Sequence, residues 1–161
     1  MLQAFRDSKR TKVPLSEAVP FSTWRRQAKA KLAPPEKAQF AGKTILLVGA
    51  TGGILSEACR ILAGLEVSSL IFGVRNVKKG EALADQIRKD HASVLFKVVE
   101  VDLLSFDSVK RFAGVINQEV SRIDAIVMGA AIMNKELKTT QDGWEESESS
   151  IFIPFPYTKF V

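Results

Sequence analysis

The residues best suited to chemistry stand at 48–55, Val48-Gly49-Ala50-Thr51-Gly52-Gly53-Ile54-Leu55. They follow an apolar stretch and lead into a helical pattern. Glycine permits a tight turn and close approach of the backbone. The free N–H groups at a helix start, backed by the helix dipole, suit a phosphate. A glycine turn between a strand and a helix therefore fits the pyrophosphate of a dinucleotide. Gly49 and Gly53 are expected to let the backbone approach it, and Ile54 to present its N–H. After the next apolar run stands Arg75, where a carboxylate would favour the ribose 2′-hydroxyl of NAD and a cation the 2′-phosphate of NADP. With Arg75, Lys78 and Lys79 present and no acid at 74–76, NADP is the expected cofactor.

Other reactive residue types are sparse. Cys59 is the only cysteine and falls in a predicted helix, so it reads as a small buried hydrophobe in a chain without internal disulfides. His91 is the only histidine, in a polar loop, and nothing around it has metal-ligand spacing, so no metal is expected. The single tyrosine, Tyr157, has Lys159 two positions on, a spacing that sends the two side chains to different helix faces.

The elements that must position the glycine turn alternate regularly. Thr44–Val48 (TILLV), Ser69–Val74 (SLIFGV), residues 93–101 (SVLFKVVEV) and residues 124–128 (DAIVM) read as four short strands, the first of them wholly apolar. Between them, residues 54–64, 78–89 and a segment capped by Ser105, with Val109, Phe112, Val115 and Ile116 as its stripe, have helical period. Strand–helix repetition with short connections means parallel strands and right-handed crossovers. The expected fold is α/β, a doubly wound, mostly parallel Rossmann sheet, incomplete at about four strands, with a basic N-terminal extension. After Asp142-Gly143-Trp144 the pattern breaks: EESESS is followed by IFIPFPYTKFV, whose two prolines oppose a regular helix.

Charge is uneven. Residues 1–40 hold nine basic and three acidic side chains, the remainder fourteen and fifteen, so the net charge of +5 belongs to the extension. Residues 21–32 (FSTWRRQAKAKL) read there as a short basic helix, with few aromatics for a nucleic-acid face. No apolar run reaches the 18 residues of a membrane span, and no signal-peptide pattern opens the chain, so a cytoplasmic protein is expected. The resulting division is a basic extension at 1–40, a nucleotide-binding domain at 41–145 and a tail at 146–161.

Several of these motifs, in order, resemble the short-chain dehydrogenase/reductase family, and most its retinol-dehydrogenase-like branch, common among fungal biosynthetic enzymes. The resemblance runs from Gly42 to Trp144: the turn at 49–53, Glu57-Ala58-Cys59-Arg60, Gly73-Val74-Arg75-Asn76 with Lys79-Gly80-Glu81, Val101-Asp102-Leu103, Ala130-Ala131 and Asp142-Gly143-Trp144-Glu145. It implies an NADP-dependent alcohol/carbonyl oxidoreductase. It assigns cofactor contacts to Gly49, Gly53, Ile54, Arg75, Lys79, Asp102 and Ala130, with Asp102 accepting from the adenine amino group or, on its own residue type, simply capping the next helix.

The chain also departs from the family pattern. Val48 stands for a threonine, Leu55 for the last glycine of the turn, and Gly129-Ala130-Ala131 for Asn-Ala-Gly. Leu55 is expected to crowd the helix against the strand or the pyrophosphate, and so to weaken cofactor binding. The family's catalytic serine and Tyr-xxx-Lys pair are absent, which points to a nucleotide-binding half inactive by itself. The alternative is a non-catalytic dinucleotide-binding or subunit-interaction module, which associates with itself or a partner through the incomplete sheet.

Overall fold

The computed structural model describes residues 35–152. After a short helix α1 (Lys37–Phe40) come β1 (Thr44–Val48), α2 (Gly53–Gly64), β2 (Ser69–Val74), α3 (Val77–Asp90), β3 (Leu95–Glu100), α4 (Phe106–Glu119), β4 (Ala125–Met128) and α5 (Glu146–Phe152). The strands form one four-stranded sheet in the order β3-β2-β1-β4, and every pair is parallel. The expected α/β sheet is therefore present, with ends shifted by a residue or two.

Period-two alternation builds two hydrophobic layers. Ile45, Leu47, Leu70, Phe72 and Val74 face α2 and α3, meeting Cys59, Ala63, Leu83 and Ile87. Leu46, Val48, Ile71 and Val99 face the opposite way and meet Val109, Phe112 and Ile116 of α4. Because β1 and β2 are covered on both sides, they carry unbroken apolar runs. β4, at the sheet edge, is only half-buried. Phe40 of α1 packs on the first of these layers.

The helix starts are locally specified. Asn76 caps α3 by accepting from the Lys79 N–H at 3.0 Å. Ser105 caps α4 as expected, accepting from the Ser108 N–H at 3.3 Å. Asp142 adds a second partner there: its Oδ2 accepts the Phe106 N–H at 2.8 Å, and Trp144 lies against the Phe106 ring with centroids 5.9 Å apart. The Asp142-Gly143-Trp144 motif thus ties the loop after β4 to the start of α4.

α5 is a helix that the pattern did not announce. The anchors described for it are the hydroxyls of Ser149 and Ser150, which form no apolar stripe. The Glu145 carboxylate accepts the Glu148 N–H at 3.0 Å, and Glu146 and Glu148 stand in the first turn, where the dipole favours negative charge. The basic helix expected at 21–32, and Tyr157 with Lys159, lie outside the described residues. Among those described, no helix is long and apolar enough to cross a membrane.

Candidate functional site

β1 leads through α2 and α3 to β2 and β3 on one side, and the chain then returns to place β4 on the other side of β1. Such a reversal leaves a crevice beyond the carboxyl ends of the strands, where ligands of doubly wound sheets bind. Here the loops after all four strands enclose a cleft of about 260 Å³. That is near the lower end of ligand cavities, which run from roughly 300 to 1,000 Å³, so it suits part of a dinucleotide rather than the whole.

Gly49 forms the corner of the cleft. Its φ of +87° is a region L side chains rarely adopt, and a Cβ on it would lie 2.7 Å from the Ala130 backbone nitrogen. Its N–H donates to the Gly73 carbonyl at 2.7 Å and its carbonyl accepts from Gly52 at 2.9 Å. The turn is thereby fixed to β2 on one side and pressed against Ala130 on the other. Gly52 is the N-cap of α2 and offers no side-chain cap, leaving the first-turn N–H groups without a side-chain acceptor among the described residues. That is the donor set a phosphate requires.

The expected site residues distribute unevenly. Gly49, Arg75, Asp102 and Ala130 line the cleft, together with Thr51 and Gly52. Gly53 and Ile54 open α2 just beyond the lining. A Cβ on Gly53 would meet nothing within 4 Å, and the Ile54 side chain is 89% exposed. Arg75 is exposed and makes no ion pair among the described residues. Lys79, one turn into α3, is exposed and outside the lining, its N–H committed to the Asn76 cap. Asp102 does not cap α4, whose N-cap is Ser105; it closes a local turn instead, its Oδ1 accepting the Leu104 N–H at 3.0 Å while its own N–H donates to Ser108 Oγ at 2.9 Å. Its Oδ2 has no hydrogen-bond partner among the described residues, and Asp102 is one of the residues that line the cleft.

Leu55 does not stand in the cleft. Its side chain is buried in the core between α2 and the end of β4, where a Cβ on Gly129 would lie 2.5 Å from its Cγ. The expected crowding of the pyrophosphate is therefore corrected; what remains is the contact of helix with strand. Ser150, buried on α5, also lines the cleft. Sequence reasoning missed it because a serine in an acidic, serine-rich segment carries the signal of a solvated loop. Among the described residues, no group of three or more His, Cys, Asp and Glu is placed to hold a metal ion.

A sequence profile of the short chain dehydrogenases matches residues 43–151. The chain belongs to the short chain dehydrogenase family. The match runs past Trp144, beyond the last of the motifs that carry the sequence resemblance, and takes in most of α5. A short-chain dehydrogenase/reductase of Phaeosphaeria nodorum is 34% identical over 125 residues, 76% of this chain and 37% of that protein. A short chain dehydrogenase of Aspergillus sclerotiorum is 34% identical over 118 residues, 73% and 33% respectively. The chain thus spans about a third of the length of these curated relatives. Among solved structures, a short chain dehydrogenase from Salmonella enterica superposes with a TM-score of 0.64 at 21% identity, covering 78% of this chain and 54% of that one. A metagenomic short-chain oxidoreductase in complex with NADP gives 0.50 at 26%, covering 58% and 41%.

Proposed function

We propose that this chain is the nucleotide-binding part of an NADP-dependent short-chain oxidoreductase that interconverts alcohol and carbonyl groups in secondary metabolism. The observation that carries the reading is the cleft cornered by Gly49, with Arg75 on its rim and no carboxylate at 74–76 to compete for the ribose. Gly49 and Gly52 bring backbone to the phosphates, the α2 amides of Gly53 and Ile54 face their charge, and the exposed Arg75 guanidinium, without an ion pair among the described residues, pairs with a 2′-phosphate. Asp102 Oδ2 accepts from the adenine amino group, Ala130 closes the wall behind the phosphates, and Lys79 adds positive charge from outside the lining. The NADP complex of the metagenomic relative supports this cofactor.

Bound NADP supplies or accepts the hydride of the reaction. This chain has no Tyr-xxx-Lys pair to move the accompanying proton, so turnover by the chain alone is not expected. Weak affinity belongs to the proposal too, with Leu55 acting by spacing α2 from β4 rather than by blocking the phosphates. The basic extension at 1–40 is followed by a nucleotide-binding domain that begins at 41 and runs past 145 to take in α5 (Glu146–Phe152), which packs on it, leaving a tail after the helix. We place the protein in the cytoplasm.

Fluorescence titration of NADPH and NADH, followed by an oxidation assay on simple ketones, tests this. Weak NADPH binding in preference to NADH, without turnover, is the expected result. No binding of either nucleotide at millimolar concentration overturns the reading. A second reading, a non-catalytic module that pairs with itself or another subunit, draws on the half-buried edge strand β4. Light scattering that finds a defined oligomer with no NADPH affinity would favour it.

A further inference from the structure

We infer that Ser150, together with Ser149, is a positioning residue that sets the shape of the cofactor cleft; this rests on the dinucleotide reading above. The two adjacent hydroxyls reach opposite walls. Ser149 Oγ donates to the Leu103 carbonyl at 2.7 Å, and Ser150 Oγ accepts the Ile132 N–H at 3.1 Å. Leu103 and Ile132 both line the cleft, the first next to Asp102 and the second two residues past Ala130. α5 therefore joins the loop after β3 to the loop after β4 across the mouth of the site.

The hydrogen-bond accounting gives Ser150 a defined direction. Its proton goes to the Ser147 carbonyl at 2.8 Å, which leaves an oxygen lone pair for Ile132. Both serines are almost wholly buried, at 0% and 2% exposure, so neither bond is exchanged cheaply for water. Loss of the Ser150 oxygen leaves the Ile132 N–H without its acceptor, and the 130–132 loop is then free to turn that group elsewhere. Ala130 would move with it, and Ala130 is the residue pressed on Gly49 at the phosphate turn. Asp142 supplies an internal contrast, since it anchors the same segment to α4 without lining the cleft.

The test is NADPH titration of the full chain and its variants, with thermal melting alongside. Ser150→Ala should raise the NADPH Kd about tenfold and Ser150→Thr, which keeps the hydroxyl, should restore it. Asp142→Ala should lower the melting temperature with the Kd unchanged. Wild-type binding that persists unaltered in Ser150→Ala, or a loss that Ser150→Thr does not restore, overturns the inference and leaves the cofactor reading standing. Absence of NADPH binding by the wild type removes both. Should Ser150→Ala fail to fold, amide exchange on the wild type decides: NADPH must slow exchange of the Ile132 N–H, and an unchanged rate refutes the positioning role.

Discussion

Leu55 occupies the volume into which a side chain at residue 129 would project: a Cβ on Gly129 would lie 2.5 Å from Leu55 Cγ, well inside van der Waals contact. The two positions, far apart in sequence, meet where α2 crosses the end of β4. In the family pattern a glycine falls at 55 and an asparagine at 129. Here the large residue has changed sides, so two apparent losses form a single exchange of packing that keeps the core filled.

The exchange predicts non-additive energetics. Leu55→Ala empties a buried site and should cost about 2–5 kcal/mol. Gly129→Ala drives a methyl into Leu55 and should cost about 1–3 kcal/mol. The Leu55→Ala/Gly129→Ala pair should be more stable than the sum of the two, by about 0.5–3 kcal/mol of coupling. Urea unfolding of the four proteins measures it; strict additivity would show that the side chains do not share this space.

Leu55 also bears on the cofactor. Leu55→Gly should bind NADPH more tightly than the wild type if helix-to-strand spacing limits affinity, even though the variant is less stable. Isothermal titration at a temperature where both remain folded makes the comparison. Equal affinity would remove Leu55 from the account of weak binding.

Arg75 should govern the choice of nucleotide. Arg75→Glu replaces a cation at the 2′-position with a carboxylate, losing a charge-assisted contact and adding a repulsion. NADPH affinity should fall by about ten- to a hundredfold, from losses on the order of 1.5–3 kcal/mol, while NADH affinity holds or rises. A parallel fall for both nucleotides would place Arg75 outside the ribose site.

How much of this was legible beforehand depends on the kind of signal. Unbroken apolar runs gave β1 and β2, and helical stripes with Ser105 as a cap gave the helices between strands, because those residues bury carbon against carbon. The turn at Gly49 was legible for the same reason that it works: only glycine tolerates a φ of +87° with Ala130 so close. α5 was not legible, since Ser149 and Ser150 are buried through hydrogen bonds, and a hydroxyl leaves no periodic trace. Nor was the partnership of Leu55 with Gly129, because one sequence lists two departures without revealing that they touch.

Cys59 should be inert. Burial raises its thiol pKa to about 12, outweighing the lowering effect of Arg60, and the side chain is fully enclosed. A thiol at that pKa is essentially all protonated at neutral pH and lacks the reactive thiolate. An aromatic disulfide reagent at pH 7.5 should label no thiol in the native chain and one in denaturant. Fast labelling of the folded protein would mean that α2 opens readily from the sheet.

Asp124 joins the starts of β1 and β4. Its carboxylate accepts the Thr44 N–H at 2.9 Å and pairs with Lys43 at 3.3 Å and Arg122 at 2.5 Å. The Thr44 hydrogen bond foremost holds its pKa below the ordinary carboxylate value; burial, the next largest effect, opposes it, and Arg122 and Lys43 add to the lowering. A depressed folded-state pKa contributes stability that is fully present above the unfolded value, about 4, and is lost as pH falls through the folded one. Asp124→Asn keeps an oxygen for Thr44 but no titrating charge. The wild type should therefore melt higher than the variant at pH 7, and the two curves should converge as pH drops below about 4. Glu66 and Glu145, whose pKa values are also lowered, titrate in both proteins and so cancel from the difference. A gap between the melting curves that persists unchanged to pH 2 would show that the carboxylate's charge plays no part in holding β4 to β1.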